Sequence, residues 1–253
     1  MERERVSALW HRNHPIAGPL DDSTVTTLLD RSLPKGPARL LDLGCKEGEW
    51  LRRALRRHPE TTAVGVDIDG EAVRRGRDRG DTEGLADRLE LLDQDARAYA
   101  DSAGTRFDVV LSVGAAHAFG GLAPTLRAVE GLLAEGGTAL VGDGFWERPP
   151  GPATLDAGFE AEEYQDLAGT VRAVREAGWV PVYGHVSTPG EWDAYEWNCV
   201  GTLSAWALDH PRDPDSREAL TFADRHREAW LSGYRGTLGF VTLVLRGGPA
   251  PAP

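Results

Sequence analysis

The sequence is poor in cysteine and in positive charge, and it has no long apolar run. Only Cys45 and Cys199 stand among 253 residues. Two thiols make neither a disulfide framework nor a zinc site of the usual ligand spacing, and no metal site is expected. No stretch reaches the roughly 18 apolar residues from which a membrane-spanning helix is read. The opening Met1-Glu-Arg-Glu-Arg-Val6 has no apolar signal core. A reduced, cytoplasmic protein is the resulting expectation. Lys+Arg total 28 against 40 Asp+Glu, a net charge of −12. Surfaces that bind nucleic acid or anionic membranes need the opposite sign. The expected partner is therefore a small molecule, with no nucleic acid and no membrane; monomer and homodimer stay equally open. Arg52, Arg53, Arg56 and Arg57 form a local basic run, spaced as the solvated face of a helix.

What is present is ordinary for a globular enzyme: 41% hydrophobic and 27% charged residues. Such a chain is long enough to bury a core without staples. From residue 38 onward, short apolar runs alternate with amphipathic ones. Strands are expected at 39–45, 62–69, 89–92, 107–113, 138–142, 179–186 and 238–245. Helices are expected at 49–57, 70–79, 122–133, 167–177, 191–208 and 216–234, the one at 122–133 closed by Gly136-Gly137. Strands alternating with helices predict right-handed crossovers and an α/β fold around a parallel sheet. The expected organisation is one domain. It has an N-terminal helical cap at 1–35, a Rossmann-like core at 36–187 and a helical cap insertion at 188–236. A final core strand at 237–246 and a disordered tail at 247–253 complete it. The aromatic content of the two helical segments favours a cap over the active site rather than decoration.

In an open parallel sheet, ligands bind beyond the carboxyl ends of the strands, near the switch point. The first strand there ends in Leu41-Asp-Leu-Gly-Cys45-Lys-Glu-Gly48. Gly44 and Gly48 allow a tight turn and close backbone approach, and the following helix aims its N–H groups at the same place. About 20 residues on, the second strand ends in Asp67-Ile68-Asp69, where a carboxylate can take both ribose hydroxyls. Together with Asp95-Ala96, these residues describe a pocket for an adenosine-containing cofactor. A dinucleotide site wants Gly-x-Gly-x-x-Gly, and the third glycine is missing, so a nicotinamide oxidoreductase is disfavoured. Asp42 beside the loop suits an ammonium rather than a pyrophosphate.

Leu41-Asp-Leu-Gly-Cys45-x-x-Gly48, Val64-Gly-Val-Asp-Ile-Asp69, Asp93-Gln-Asp-Ala96 and Phe107-Asp-Val-Val-Leu-Ser112 resemble successive motifs of class I S-adenosylmethionine-dependent methyltransferases. The resemblance covers roughly residues 38–145. It implies a seven-stranded sheet whose last strand is antiparallel and inserted between the fifth and sixth, with S-adenosyl-L-methionine as cofactor. Residue by residue, it implies that Asp42 and Gly44 line the methionine end and Asp67 holds the ribose hydroxyls. Ile68 packs beside the adenine, Asp95 meets the adenine amino group with Ala96 beside it, and Gly114 lies under the methionyl part. Cys45, Lys46 and Gly48 complete the loop. Lys46 departs from the family, which usually has glycine there. Its side chain is expected to point to solvent; pairing with the cofactor carboxylate and obstruction of the pocket are the alternatives. Cys45 reads as a small buried residue, not a nucleophile.

Outside this core, His11-Arg-Asn-His14-Pro-Ile16, Gly114-Ala-Ala-His117-Ala-Phe119-Gly-Gly, Gly144-Phe-Trp-Glu-Arg-Pro-Pro150 and Glu191-Trp-Asp-Ala-Tyr-Glu196 resemble a narrower group of bacterial small-molecule methyltransferases. His117, just past the fourth strand, and Glu147, after the fifth, are the candidate bases. His14, Phe119, Trp146, Trp192, Tyr195 and Tyr234 are the candidate substrate contacts. The expected activity is methyl transfer to a small nitrogen, oxygen or sulfur nucleophile. The alternative is a non-catalytic S-adenosylmethionine- or S-adenosylhomocysteine-binding protein with an altered glycine loop.

Overall fold

A computed structural model describes residues 3–248 of the chain. These form two compact units. Among these described residues, the sheet unit comprises 22–143, 168–186 and 241–248; the helical unit comprises 3–21, 144–167 and 187–240.

Seven strands make the sheet: β1 (Arg39–Leu43), β2 (Thr62–Asp67), β3 (Leu89–Asp93), β4 (Phe107–Val113), β5 (Leu133–Trp146), β6 (Trp179–Val186) and β7 (Leu238–Gly247). Their order is β3-β2-β1-β4-β5-β7-β6. The β1–β2, β2–β3, β1–β4 and β4–β5 pairs are parallel, and β6 runs antiparallel to β7. The fold is thus the Rossmann-like seven-stranded sheet that the strand pattern predicts, with β7 between β5 and β6. The central strands are apolar on both faces because helices cover both: Leu40, Leu41, Leu43, Val109, Val110 and Leu111 are fully buried. Full burial of each such side chain contributes about 1.5–3 kcal/mol.

Four helices of this unit follow the first four strands in turn: α3 (Glu49–Arg57), α4 (Gly70–Thr82), α5 (Ala96–Ser102) and α6 (Leu122–Leu132). The expected glycine stop of α6 is absent. The helix ends at Leu132, the next residue is already extended, and Gly136 and Gly137 lie inside β5. The helix α2 (Asp22–Ser32) lies in the sheet unit rather than with the N-terminal residues. Its buried stripe of Val25, Leu28 and Leu29 explains this, as do the Arg31 guanidinium 4.6 Å from the Tyr183 ring and the Asp30–Arg57 pair. Of the tail expected at 247–253, Gly247 pairs with Trp179 in the β6–β7 ladder; residues 249–253 lie outside the described residues.

The helical unit is built on α1 (Arg3–Trp10), α9 (Pro189–Asp209) and α10 (Ser216–Glu228). The short α7 (Pro152–Asp156) belongs to it, while α8 (Leu167–Glu176) lies almost wholly in the sheet unit. Leu9, Trp10, Val200, Leu203, Trp206, Ala219 and Ala223 form one buried cluster. A capping box starts α9: the Thr188 hydroxyl accepts from the Glu191 backbone N–H at 3.2 Å, and the Glu191 carboxylate accepts from the Thr188 N–H at 2.8 Å. A π-helical turn, Ala229–Tyr234, extends α10. The segment 144–167 joins this unit because Trp146 packs edge-on against Phe159 and Tyr164, and the Thr154 hydroxyl donates to the Gly233 carbonyl at 2.7 Å.

Candidate active site

In the sheet unit, main-chain bonds tie the strand ends together. The Gly44 and Cys45 N–H groups donate to the Val66 carbonyl at 2.8 and 3.0 Å, joining the β1 loop to β2. The Gln94 N–H donates to the Asp67 carbonyl at 3.0 Å, joining the residue after β3 to β2. Beyond β4, the Gly114 N–H donates to the Gly142 carbonyl at 2.8 Å. Gly44 has φ +89°, and a Cβ placed there would lie 2.5 Å from the Ala115 Cβ. Only glycine lets the loop after β1 come this close to the loop after β4.

Asp67, 7% exposed, is the hub of this arrangement. One carboxylate oxygen accepts from the Lys46 N–H at 2.8 Å, the other from the Asp69 N–H at 2.9 Å. Asp69 caps α4 through the Ala72 N–H, and Asp95 caps α5 through the Ala98 N–H. Asp42 is 4% exposed. Burial, with the Asp67 carboxylate adding to it, pushes Asp42 up to about 8. Burial pushes the Cys45 thiol up as well, reinforced by Asp42 and Asp67. A thiol held protonated in this way is no nucleophile at neutral pH. Ile68, immediately after Asp67, is 73% exposed.

Lys46 sits in the left-handed region at φ +49°, a conformation that suits the glycine the family usually has there. Its side chain is 40% exposed and its ammonium lies 3.6 Å from an Asp69 carboxylate oxygen. His117 is exposed on a 3-10 turn, Ala116–Phe119, while the Phe119 ring is 3% exposed and anchors that turn in the interior. Gly48 starts α3, Ala96 opens α5 in the interior, and Gly114 has φ +72° with open space where a side chain would be.

The remaining candidates lie in the helical unit, where ring contacts connect most of them. Trp146 meets Phe159 at 5.9 Å between centroids, and Phe159 meets Tyr234 at 5.3 Å. Tyr234 meets Trp192 at 6.4 Å, Trp192 meets Tyr195 at 6.4 Å, and Tyr195 meets His14 at 5.4 Å. Internal hydrogen bonds hold several of these groups. The Trp146 indole N–H donates to the Ala161 carbonyl at 3.0 Å, and a His14 ring nitrogen is 2.8 Å from the Gly18 carbonyl. Glu147 is exposed, with its backbone N–H on the Thr237 carbonyl at 2.8 Å.

Several participants escaped the sequence reading. Glu196, 2% exposed, accepts from the Tyr234 hydroxyl at 2.7 Å and lies 2.8 Å from a His226 ring nitrogen. Its signal was a carboxylate in the buried register of α9. Ser187 and Trp230, which line a cavity with Trp192 and Tyr234, carried no signal beyond residue type.

With this geometry in view, comparison with known proteins is informative. Residues 41–139 match the methyltransferase-domain family. An uncharacterized methyltransferase of Mycobacterium tuberculosis is 35% identical over 115 residues, covering 45% of this chain and 54% of that protein. The chain spans between 28% and 54% of the length of the curated relatives it matches. Among solved structures, a methyltransferase of Geobacter sulfurreducens aligns with TM-score 0.87 at 24% identity over 96% of this chain and 98% of that one. One of Thiobacillus denitrificans aligns with TM-score 0.86 at 25% identity over 98% and 100%. Both were crystallised with S-adenosylhomocysteine. The fold and strand order are those of a Rossmann-like methyltransferase. Residues 41–139 are thus similar to a methyltransferase domain, and the sheet around them has the fold of S-adenosylmethionine-dependent methyltransferases.

Proposed function

We propose that this protein transfers a methyl group from S-adenosylmethionine to a small-molecule nucleophile. One observation carries the cofactor half: an isoleucine 73% exposed beside a buried strand-end carboxylate, Ile68 after Asp67. A large apolar side chain in the open costs hydration, and the flat face of an adenine would cover it while Asp67 takes the ribose. Both oxygens of Asp67 already accept a backbone N–H. A carboxylate offers about four lone-pair sites, so two hydroxyls can still be accepted. The open space at Gly114 and the buried Asp42 also fit a methionyl group bearing an ammonium.

When bound, the cofactor supplies a methyl carbon on a sulfonium; the acceptor's lone pair forms the new bond as the carbon–sulfur pair returns to sulfur, giving a neutral thioether. The protein's share is orientation and exclusion of water. In this reading Asp67 and the β1 loop fix the ribose end, Asp42 faces the ammonium, and Asp95 with Ala96 borders the adenine. His117 of the sheet unit and Glu147 of the helical unit are the two candidate bases. A net charge of −12 favours an acceptor that is not a polyanion.

Calorimetric titration with S-adenosylmethionine, S-adenosylhomocysteine and NAD in parallel tests the cofactor half. Stoichiometric binding of the two sulfur compounds, and none of NAD, is expected. If neither sulfur compound binds, the proposal is overturned. Binding without methyl release to any acceptor in a broad panel would favour the non-catalytic alternative.

A further inference from the structure

One side of α9 is buried in the core of the helical unit, through Cys199, Val200, Leu203, Trp206 and Ala207. The side of a helix turned away from its core is normally charged or polar. On α9 it is apolar. Between Gly190 and Asp209 the exposed residues are Ala194, Trp197, Gly201, Ala205 and Leu208. Steps of three and four residues stack them on one face, and none of the five can ionise. Trp197 is 52% exposed and Leu208 67%. The Trp197 ring meets Trp230 edge-on at 5.3 Å, which holds it in this outward position. Large apolar side chains fixed in water cost hydration, and a contiguous face of them marks a docking surface.

The face is complementary to itself. Trp197 and Leu208 stand at its two ends, with the small Gly201 and Ala205 between them. A second α9 laid on it antiparallel sets Trp197 against Leu208 at both ends. The small residues then fall at the crossing, where the helices can approach closely. Charge agrees with this occupant. The helix α10 runs beside α9 in the opposite direction, with Trp230 at Trp197 and Arg227 at Ser204. At the edge of the face, Arg227 pairs with Asp224 at 2.8 Å. The two-fold rotation that reverses α9 also lays α10 over its copy and reverses this pair. Each Arg227 then faces the second copy's Asp224. Two helices side by side present a face of about 20 by 20 Å. Two such faces bury on the order of 1,000 Å² in all, the lower bound for a specific interface, which suits a reversible dimer of roughly micromolar affinity.

We propose that this face of α9 and α10 is the contact of a two-fold homodimer, with Trp197 against Leu208 and Arg227 against Asp224 across the axis. The contact is independent of the proposed function.

Sedimentation equilibrium of the full chain across roughly 1–200 µM, a range that brackets this affinity, tests it. The average mass should rise from that of one chain toward that of two. A Cβ at Gly201 meets nothing within 4 Å, so Gly201→Glu leaves the single chain intact and puts a carboxylate at the crossing. It should weaken association by about tenfold or more, because burying an unpaired carboxylate is unfavourable, while the melting temperature below the association range stays unchanged. Asp224→Arg alone sets like charges against each other and should also weaken the dimer. Adding Arg227→Asp should restore it. A single-chain mass at every concentration overturns the proposal, as does a dimer that Gly201→Glu leaves unchanged. A dimer weakened by Gly201→Glu but untouched by Asp224→Arg overturns the two-fold pairing of the charges. Binding of neutral phospholipid vesicles by a chain that does not self-associate would give the face to a membrane instead, and overturn the dimer.

Discussion

The two units build their sites from opposite materials. In the sheet unit the site is main chain: strand ends, glycines and helix caps, joined by bonds such as Gly44 and Cys45 onto Val66. Its central carboxylate, Asp67, is already bonded to two backbone N–H groups. In the helical unit the site is side chain: a succession of rings from Trp146 through Phe159 and Tyr234 to Trp192 and Tyr195. It also contains a buried Glu196 cluster. A main-chain site is preorganised by the fold and tolerates variation around it. A side-chain site changes shape with single substitutions, which is how one fold serves many substrates.

Attack on Glu196 should give the largest effect. Glu196→Ala removes the acceptor of the Tyr234 hydroxyl and the partner of His226 in a place that is 2% exposed. The expected loss is about 3 kcal/mol of stability, read from denaturant midpoints. A loss under about 1 kcal/mol would show that the cluster is hydrated and dispensable. In the sheet unit, Asp67→Ala removes both anchors of the loop and the proposed ribose acceptor. S-adenosylhomocysteine affinity should fall roughly 30- to 100-fold, measured by calorimetry; an unchanged affinity would remove Asp67 from the site.

The same contrast explains what could be read in advance. The strands, their parallel order and the β1 loop were legible because apolar runs, glycines and carboxylates at strand ends are local signals. Length was less so: β5 runs from Leu133 to Trp146, through the two glycines that look like a helix stop. The seven-residue α5, Ala96–Ser102, is too short and alanine-rich for an amphipathic pattern. An apolar stripe in α2 says that the helix packs, not against what, and so its place in the sheet unit was hidden. In the candidate site, the 192/195 spacing correctly paired two rings. Ser187 was invisible, since nothing local marks a serine just before a helix cap as buried.

Asp42 gives a pH test of intermediate size. Folding raises this carboxyl from 3.8 to about 8, so between those values the folded state holds a proton that the unfolded state has lost. Stability should decline as pH rises through that window, and Asp42→Asn should flatten the decline. A ligand bearing an ammonium favours the charged carboxylate and expels the proton on binding. Affinity for S-adenosylhomocysteine should therefore rise toward pH 8, by at most about tenfold per pH unit, and level off above it. Titrations between pH 6 and 9 in buffers of different ionisation heat would show the released proton. A flat profile in the wild type would place Asp42 away from the ammonium.

The smallest expected effect concerns Lys46, the residue at which the loop departs from the family it resembles. Three contributions act on stability in Lys46→Gly, one favourable and two opposing it. Relief of the left-handed backbone at φ +49° is worth about 1–2 kcal/mol. The added freedom of glycine in the unfolded chain costs about 0.4–1 kcal/mol. The lost contact with Asp69, 3.6 Å and part-exposed, is worth under about 1 kcal/mol. The melting temperature should therefore move by only a few degrees. Since the Lys46 main-chain N–H, not its ammonium, binds Asp67, cofactor affinity should stay within about threefold, roughly half the effect of one hydrogen bond. Lys46→Glu is the sharper contrast: it sets a second carboxylate beside Asp69 and should weaken binding by like-charge repulsion. A tenfold loss in Lys46→Gly would show instead that the ammonium reaches the bound cofactor, and the loop would then use a side chain where the rest of the site uses main chain.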